Sequence, residues 1–462
     1  MKKTLLFVYL CLFFHSCWSQ TILSYEQFQA IVISNHPLIK QAGLKPIMGE
    51  NQVLKAKGAF DPKVMTEFAN KNFDGTRNFQ KFNAGLTIPT WYGIQVKTGF
   101  ESNSGPYLNP ELKTPAGGLF YGGLSLNLAQ GMVIDQRRAE LFKAKINLES
   151  SNQEKKLRMN ELIYESGYAY WNWFLAHYSA QILSDAYLLS LDRLKGVQTS
   201  AELGDRPFID TVEAGIQVQN RKSMYLNYQT DLQNNRWKVS TYLWSEIQDP
   251  LELGESSMPT SLDSISWTIL NLLTDQALDS AVQQHPYLNI NELKIESLEI
   301  DQKLKREQLK PNLNLSYHVI NEPLNYNPMT NISPNNNKIG VQFDMPLFLR
   351  KERGDYALAQ LKVQEEQFNL QSNTVYLKAK IKQAQNDVLN AQNQVQIYQQ
   401  TVLDSKRLFD AEKQMFDHGE SSLFLVNARE MTYIQAKLKC IESISKYQQA
   451  LLTLKFSLAT LY

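Results

Sequence analysis

Apolar residues recur along this chain with two different periods, and the change of period divides it. From about 352 to 418 the spacing is helical: Leu377, Ile381, Ala384, Val388, Ala391, Val395, Tyr398 and Val402 step by four and three in turn. Such a stripe, with Gln, Asn, Lys and Asp between its members, predicts a long helix with one packed face. Beyond Gly419 it resumes at Ile434, Leu438 and Ile441 and runs through Leu451, Leu454, Leu458 and Leu461. An earlier window repeats the design with Tyr164, Tyr168, Trp171, Leu175, Tyr178 and Ile182, and a second helix is expected after Pro207. All sixteen prolines lie at or before Pro346, and none falls between Pro115 and Pro207, between Pro207 and Pro250, or after Pro346. Proline breaks helix interiors, so these windows are where long helices fit. Helices over about 133–200 and 352–418 would each reach about 100 Å at 1.5 Å per residue. A globular domain has no use for two such rods.

Elsewhere the period falls to two, over about 62–129 and 311–349. Leu313, Leu315, Tyr317 and Val319 alternate with Asn, Ser and His; Ile339, Val341, Phe343 and Met345 alternate with Gly, Gln and Asp. The first half has the same pattern at Phe82, Ala84, Leu86 and Ile88, at Ile94, Val96, Thr98 and Phe100, and at Leu124, Leu126 and Leu128. Polar loops over roughly 103–117 and 322–337 and a tight turn at Pro89 to Gly93, holding Trp91 and Tyr92, connect these strands. Short turns on one side, long loops on the other and aromatics at strand ends describe an outer-membrane barrel wall. Taken alone, the alternation fits a surface sheet equally well.

Placing His36-Pro37 over His285-Pro286 superposes Pro62 on Pro311, Phe68 on Tyr317 and Lys57 on Arg306 without a gap. Each half therefore reads short helix, His-Pro, helix, proline, strands, long helix, turn, helix, which is the mark of duplication. The predicted organisation is a signal peptide over 1–19, a first repeat over 20–249, a linker over 250–274 and a second repeat over 275–462. In the first repeat the strands lie at about 62–129 and the hairpin at about 133–245; in the second they lie at about 311–349 and 352–461. The first half holds more strand, consistent with an extra hairpin around Phe79 to Glu101. Each strand segment starts and ends at helices on one side of a membrane, so its strand count is even: two in the second half, two or four in the first. Four to six strands cannot close a barrel, and an open edge in lipid leaves backbone groups unpaired. A membrane wall of this kind has to be shared between chains.

Composition narrows the class. Charged residues make up 20% and the mean hydropathy is −0.36, too polar for a bundle of membrane helices. The one strongly apolar run, Thr4 to Phe14 behind Met1, Lys2 and Lys3, is too short to span a bilayer and reads as a secretory signal. Cleavage is expected after Ser19, with Cys17 and Ser19 as the small −3 and −1 residues; acylation at Cys17 is the rival, which Phe14 and His15 fit poorly. Losing Lys2 and Lys3 takes the formal charge from +1 to −1, which argues against a nucleic-acid partner. Cys440 is the only cysteine outside that segment, so no disulfide framework is available.

At its helical turnarounds the chain resembles the TolC family of outer-membrane efflux proteins, and the resemblance covers essentially the whole mature chain. The family's Gly-x5-Asp-Val-x-x-Ala pattern appears as Gly204-Asp-Arg-Pro-Phe-Ile-Asp210-Thr-Val-Glu-Ala214, with Thr211 where Val is usual. The second turnaround, Gly419-Glu-Ser-Ser-Leu-Phe-Leu-Val-Asn-Ala428, reads as one residue shorter and lacks the aspartate, with Phe424 near that place. The resemblance implies an α+β membrane protein: a homotrimer with a shared β-barrel in outer-membrane lipid and long helical hairpins forming a periplasmic α-barrel. Its partners would be a periplasmic adaptor and an inner-membrane transporter, with the chain as a passive exit duct. Three chains would give 12 strands, or 18 if the extra hairpin joins the wall. A type I protein-secretion duct is the alternative within that class, and a periplasmic coiled-coil scaffold or adhesin is the alternative outside it.

The adaptor contacts then expected are Leu203, Gly204, Asp205, Pro207, Asp210 and Ala214, with His418, Gly419, Glu420 and Ser421. The blander reading is that both glycines end helices and Asp210 caps the returning one. Asp404, Asp410 and Asp417 are candidates for a periplasmic aperture, against a solvated outer face. His36 and His285 share a local turn rather than a metal, and no ligand spacing, phosphate loop or nucleophile elbow points to a cofactor or an enzyme. The cluster Tyr168, Tyr170, Trp171, Trp173 and Phe174 reads as helix packing.

Overall fold

The computed structural model describes residues 22–265, 274–322, 333 and 335–462. The expected signal segment, with Ser19 and Cys17, lies outside them, as do parts of the 250–274 linker and the 322–337 loop. Eight helices and eight strands follow one another as β1 (Ile22–Leu23), α1 (Tyr25–Asn35), α2 (Pro37–Lys57), β2 (Lys63–Phe73), β3 (Thr76–Pro89), β4 (Ile94–Ser104), β5 (Leu119–Asn127), α3 (Gln136–Glu202), α4 (Phe208–Ser240), β6 (Met258–Pro259), α5 (Asp275–Gln283), α6 (Pro286–Glu307), β7 (Asn312–Asn321), β8 (Asn337–Asp344), α7 (Arg350–Asp417) and α8 (Leu423–Ser457) among the described residues. No described helix is long and apolar enough to cross a membrane.

The duplication is visible element by element. Helices α3 and α7 have 67 and 68 residues, α4 and α8 have 33 and 35, and α2 and α6 have 21 and 22. Strand β7 is the counterpart of β2, and the insertion in the first repeat is the β3–β4 hairpin. That hairpin brings the larger sheet to six strands among the described residues.

Two compact units arise from this chain, and α3 and α7 contribute to both. One unit comprises residues 44–154 and 287–373 and contains a single antiparallel sheet in the order β2-β3-β4-β5-β7-β8. The β2–β3 connection is Asp74-Gly75, with φ of 50° and 70°. Those left-handed values suit the two-residue hairpin turn whose twist matches the strands. It is a turn that the apolar alternation by itself passes over. At the other end, the Thr90 N–H and hydroxyl both donate to Ile94 O, and Trp91 packs on Phe60 and Phe142.

The other unit comprises residues 22–43, 155–286 and 374–462 among those described. Its core explains a difference from the expected stripe. On α7 the stripe lands as read, with Leu377, Ile381, Ala384, Val388, Ala391 and Val395 all buried. On α3 it lands only in part: Trp171 and Ile182 are buried but Tyr168 is exposed, and Met159, Ile163, Ser166, Tyr170, Trp173 and Phe174, off the stripe, are buried. Helix α3 has two partners and so two apolar faces, which no single heptad describes. On one side Tyr164 stacks on Phe456, Asn160 donates to Phe456 O and Ser445 donates to Trp171 O. On another, the Tyr170 hydroxyl donates to Leu23 O and accepts from Thr260 N, tying α3 to the short parallel pair β1–β6. The aromatic cluster is therefore packing, with Tyr168 at its exposed margin.

Candidate functional site: the two-faced sheet and the helical tips

Apart from an irregularity between Lys71 and Asn72 at the β2–β3 hairpin end, register sorts the sheet's side chains, because neighbours across each rung share a face. One face carries Val64, Phe68, Phe82, Leu86, Ile88, Ile94, Val96, Phe100, Leu124, Leu126, Leu313, Leu315, Tyr317, Ile339, Val341 and Phe343. Eight of the nine charged residues of the six strands lie on the other: Lys63, Glu67, Lys71, Lys81, Lys97, Glu101, Lys338 and Asp344; the ninth, Arg77, pairs with Asn72 beyond the irregularity. A mainly apolar face that stays exposed on the single chain, with Phe68, Ile339, Val341 and Phe343 each more than 60% accessible, is a face built for something other than water. Strands β2 and β8 are the two ends of the sheet and pair on one side only. The barrel is thus not closed by one chain.

The polar face is partly paved with glycine. Gly85 and Gly99 are cross-strand partners, and Gly99 faces Tyr121. The Tyr121 ring crosses this lane so closely that a Cβ on Gly99 would stand 2.5 Å from its hydroxyl, which hydrogen-bonds to Asn83 Oδ1 at 3.1 Å.

At the tips, the two turnarounds are built alike. Gly204 takes φ +84° and Gly419 φ +81°, and each ends its helix with the same pair of bonds. Gly204 N donates to Ala201 O and Asp205 N to Ser200 O; Gly419 N donates to Phe416 O and Glu420 N to Met415 O. This is the Schellman closure, in which a left-handed residue satisfies the last orphan carbonyls. Both loops take four residues from the glycine to the first residue of the returning helix, so the second is not the shorter. The equivalence sets Leu425 opposite Asp210 and Phe424 opposite Ile209.

Asp210 does not cap α4: the cap residue is Pro207, which has no side-chain bond to offer, and the Asp210 carboxylate lies 3.9 Å from Arg206 within the first turn. There it faces the positive end of the helix dipole. Ser422 caps α8 instead, accepting from Leu425 N, while the Ser421 hydroxyl donates to the Glu412 carboxylate. Ala214 is buried in a small core with Val197 and Leu423, below the exposed Leu203, and Arg206 lies 3.8 Å over the Phe416 ring. His418 and Glu420 are exposed. Asp404, Asp410 and Asp417 are all exposed on α7; Asp410 and Asp417, seven apart, share a face, whereas Asp404 lies about 120° around the helix at 3.6 residues per turn. Asp404 pairs with Arg407 and accepts from Gln400.

Sequence reading missed a buried charge cluster near these tips. Arg193 of α3 donates to Glu430 of α8 at 2.7 Å and to Asn427 at 2.9 Å, Arg221 of α4 approaches Glu430 at 3.8 Å, and Asn427 donates to Glu213. Burial lowers the Arg221 pKa, against the attraction of Glu430. The only signal for it was charged residues at positions of a stripe that should be apolar. His36 and His285 occupy equivalent helix corners, as the repeat implied. Burial, and then the Lys380 ammonium, push His285 down to about 4; burial also lowers His36, whose Nδ1 accepts from Leu38 N.

Long paired helices continuous with an antiparallel sheet, apolar on one face and charged on the other, define the class of outer-membrane channel folds. Residues 277–460 match the sequence profile of the family described as Outer membrane efflux protein. That match is confined to the second repeat, while the fold shared with solved channels extends over most of the chain. It superposes on the CmeC outer membrane channel of Campylobacter jejuni with a TM-score of 0.66 at 13% identity, covering 94% of this chain and 85% of that one. The open-state MtrE outer membrane channel of Neisseria gonorrhoeae gives 0.69 at 12% identity, with 94% and 88% covered. The outer membrane protein VceC of Vibrio cholerae gives 0.66 at 12%, with 94% and 96% covered. No curated protein matches the chain by sequence.

Proposed function

We propose that this chain is the outer-membrane exit duct of a tripartite efflux system, acting as a homotrimer whose three sheets join edge to edge into one eighteen-stranded barrel. The observation that carries it is the sheet with eight of its nine strand charges on one face and two edges left over. In lipid those edges cost several kcal/mol for each unpaired backbone group, and only closure removes them. Strand number sets lumen size, and a barrel of this size holds water.

The duplication supplies a register for the closure. Since β7 repeats β2, the β5–β7 pairing inside the chain is the template for β8 against β2 of the next copy. It sets Ile339 beside Phe68, Val341 beside Thr66 and Lys63 beside Asp344, keeping uncharged residues together on one face and opposing the end charges on the other. Following one rung through the chain from Lys63 leads to Lys338 and then to Ala69 of the next copy, a shift of six residues. With strands about 4.8 Å apart, that shift gives a tilt of about 35°, at the edge of the range closed barrels use. In this reading the tips around Gly204 and Gly419 meet a periplasmic adaptor that links the duct to an inner-membrane transporter. Asp410 and Asp417 are the aspartates that share a face toward a common aperture.

The test is a pair of cysteines on the polar face, Met65→Cys with Gln342→Cys in a Cys440→Ser background. Oxidation in outer membranes should link chains into dimers and closed trimers. The purified trimer should also conduct in planar bilayers. Protein that stays monomeric under oxidation and forms no pore would overturn the proposal.

A further inference from the structure

We propose that the barrel lumen carries an anion-attracting row, Lys97, His318 and Lys338 set around Gly123, which favours small carboxylate, phosphate or sulfate solutes over cations. The proposal rests on the channel reading above. The row is a property of register: Thr87 pairs with Lys97, Lys97 with Gly123, Gly123 with His318 and His318 with Lys338. At about 4.8 Å per strand, Lys97 and His318 stand about 10 Å apart across a residue with no side chain, and Lys338 lies one strand further on. Gly123 cannot be filled, because a Cβ there would meet Tyr317 O at 2.0 Å. Beyond the row itself, the polar-face neighbours of Lys97 and His318 are Gly85, Thr87, Pro89, Gln95, Gly99, Tyr121, Ser125, Ser316, Ile320 and Gly340, with no carboxylate among them.

The rest of the lining points the same way. Five basic residues against three acidic ones give the polar face an excess of two positive charges per chain. In the proposed closure Lys338 continues to Ala69 of the next copy, flanked by Glu67 and Lys71, and then to Lys81. Basic rings lining a pore select anions through the field they hold in a narrow aqueous space. The threefold repetition multiplies that field.

Accessibility from outside tests this without requiring the periplasmic end to be open. Ser316 lies on the polar face beside the row, paired with Ser125 and Gly340. In intact cells carrying Ser316→Cys and Cys440→Ser, membrane-impermeant methanethiosulfonates with an anionic sulfonate or a cationic trimethylammonium group are compared by their rates of modification. The anionic reagent should be favoured. Adding Lys97→Gln and Lys338→Gln should lower the anion-to-cation ratio about twofold to threefold, as expected for charges roughly 8 Å and 12 Å away in screened water. A ratio unchanged by the two substitutions would overturn the row and leave the channel reading standing. A cysteine that neither reagent reaches would overturn both.

Discussion

The two repeats differ far less in their helices than in their strands. Their long helices agree to within one residue in 67, their returning helices to within two, and both turn on a left-handed glycine with the same hydrogen bonds. Yet the first repeat places four strands in the sheet and the second two. A rod that has to run the same distance beside its neighbours cannot change length alone, whereas a hairpin can be added to a wall in pairs. Helix length is a shared constraint, and barrel width is set repeat by repeat.

Removing that difference is the most drastic test. Deleting residues 76–104 would leave two strands in each repeat and twelve in the trimer. Barrel diameter grows roughly linearly with strand number, so the lumen area should fall to about 0.4 of its former value. Single-channel conductance should drop by about half or more; an unchanged conductance would mean that β3 and β4 are not part of the wall.

A second asymmetry is the charge cluster, which has no counterpart in the other repeat: Leu408 and Gly215 stand where Arg193 and Glu430 would be. Glu430→Ala leaves two buried guanidinium groups uncompensated and should cost about 3–5 kcal/mol, read as a lowered denaturant midpoint. The double variant Glu430→Ala with Arg193→Leu should recover part of it, and equal losses in both would count against the pair.

The histidine corners test the symmetry from the other side. The native His285 pKa of about 4 lies below the unfolded value near 6.5, so the unfolded chain binds the extra proton first. Its contribution is complete above about pH 6.5 and is lost as pH falls toward 4. After discounting for solvent screening it amounts to about 2 kcal/mol at 1.36 kcal/mol per pKa unit. His36 is shifted the same way, so His285→Gln should flatten only part of the acid dependence of unfolding.

The smallest effect expected is at the tips. Gly204→Val and Gly419→Val should each cost about 1–3 kcal/mol for holding a β-branched residue at positive φ. Equal losses in the two variants would support equivalent closures, and export should suffer while trimer persists. Normal export in both would remove the tips as docking sites.

Much of this was legible in one dimension. Proline-free windows and the α7 stripe marked the rods, and His-Pro at 36 and 285 marked the duplication. The face of α3 was not legible, because Trp171 and Tyr170 serve different partners and one heptad cannot encode two contacts. Nor was Glu430, whose burial depends on Arg193 some 237 residues away in the chain.

What the sequence alone determined is local and periodic: where proline forbids a helix, where alternation demands a strand, where Gly204 and Gly419 permit a reversal, and that the halves are copies. What only the tertiary structure decided is register. It showed that eight of the nine strand charges fall on one face, that Lys97, His318 and Lys338 share a rung, and that β3 and β4 join the sheet. The physical reason is that a one-residue slip in pairing turns every side chain to the opposite face. Alternation within one strand cannot say which rung of its neighbour it meets.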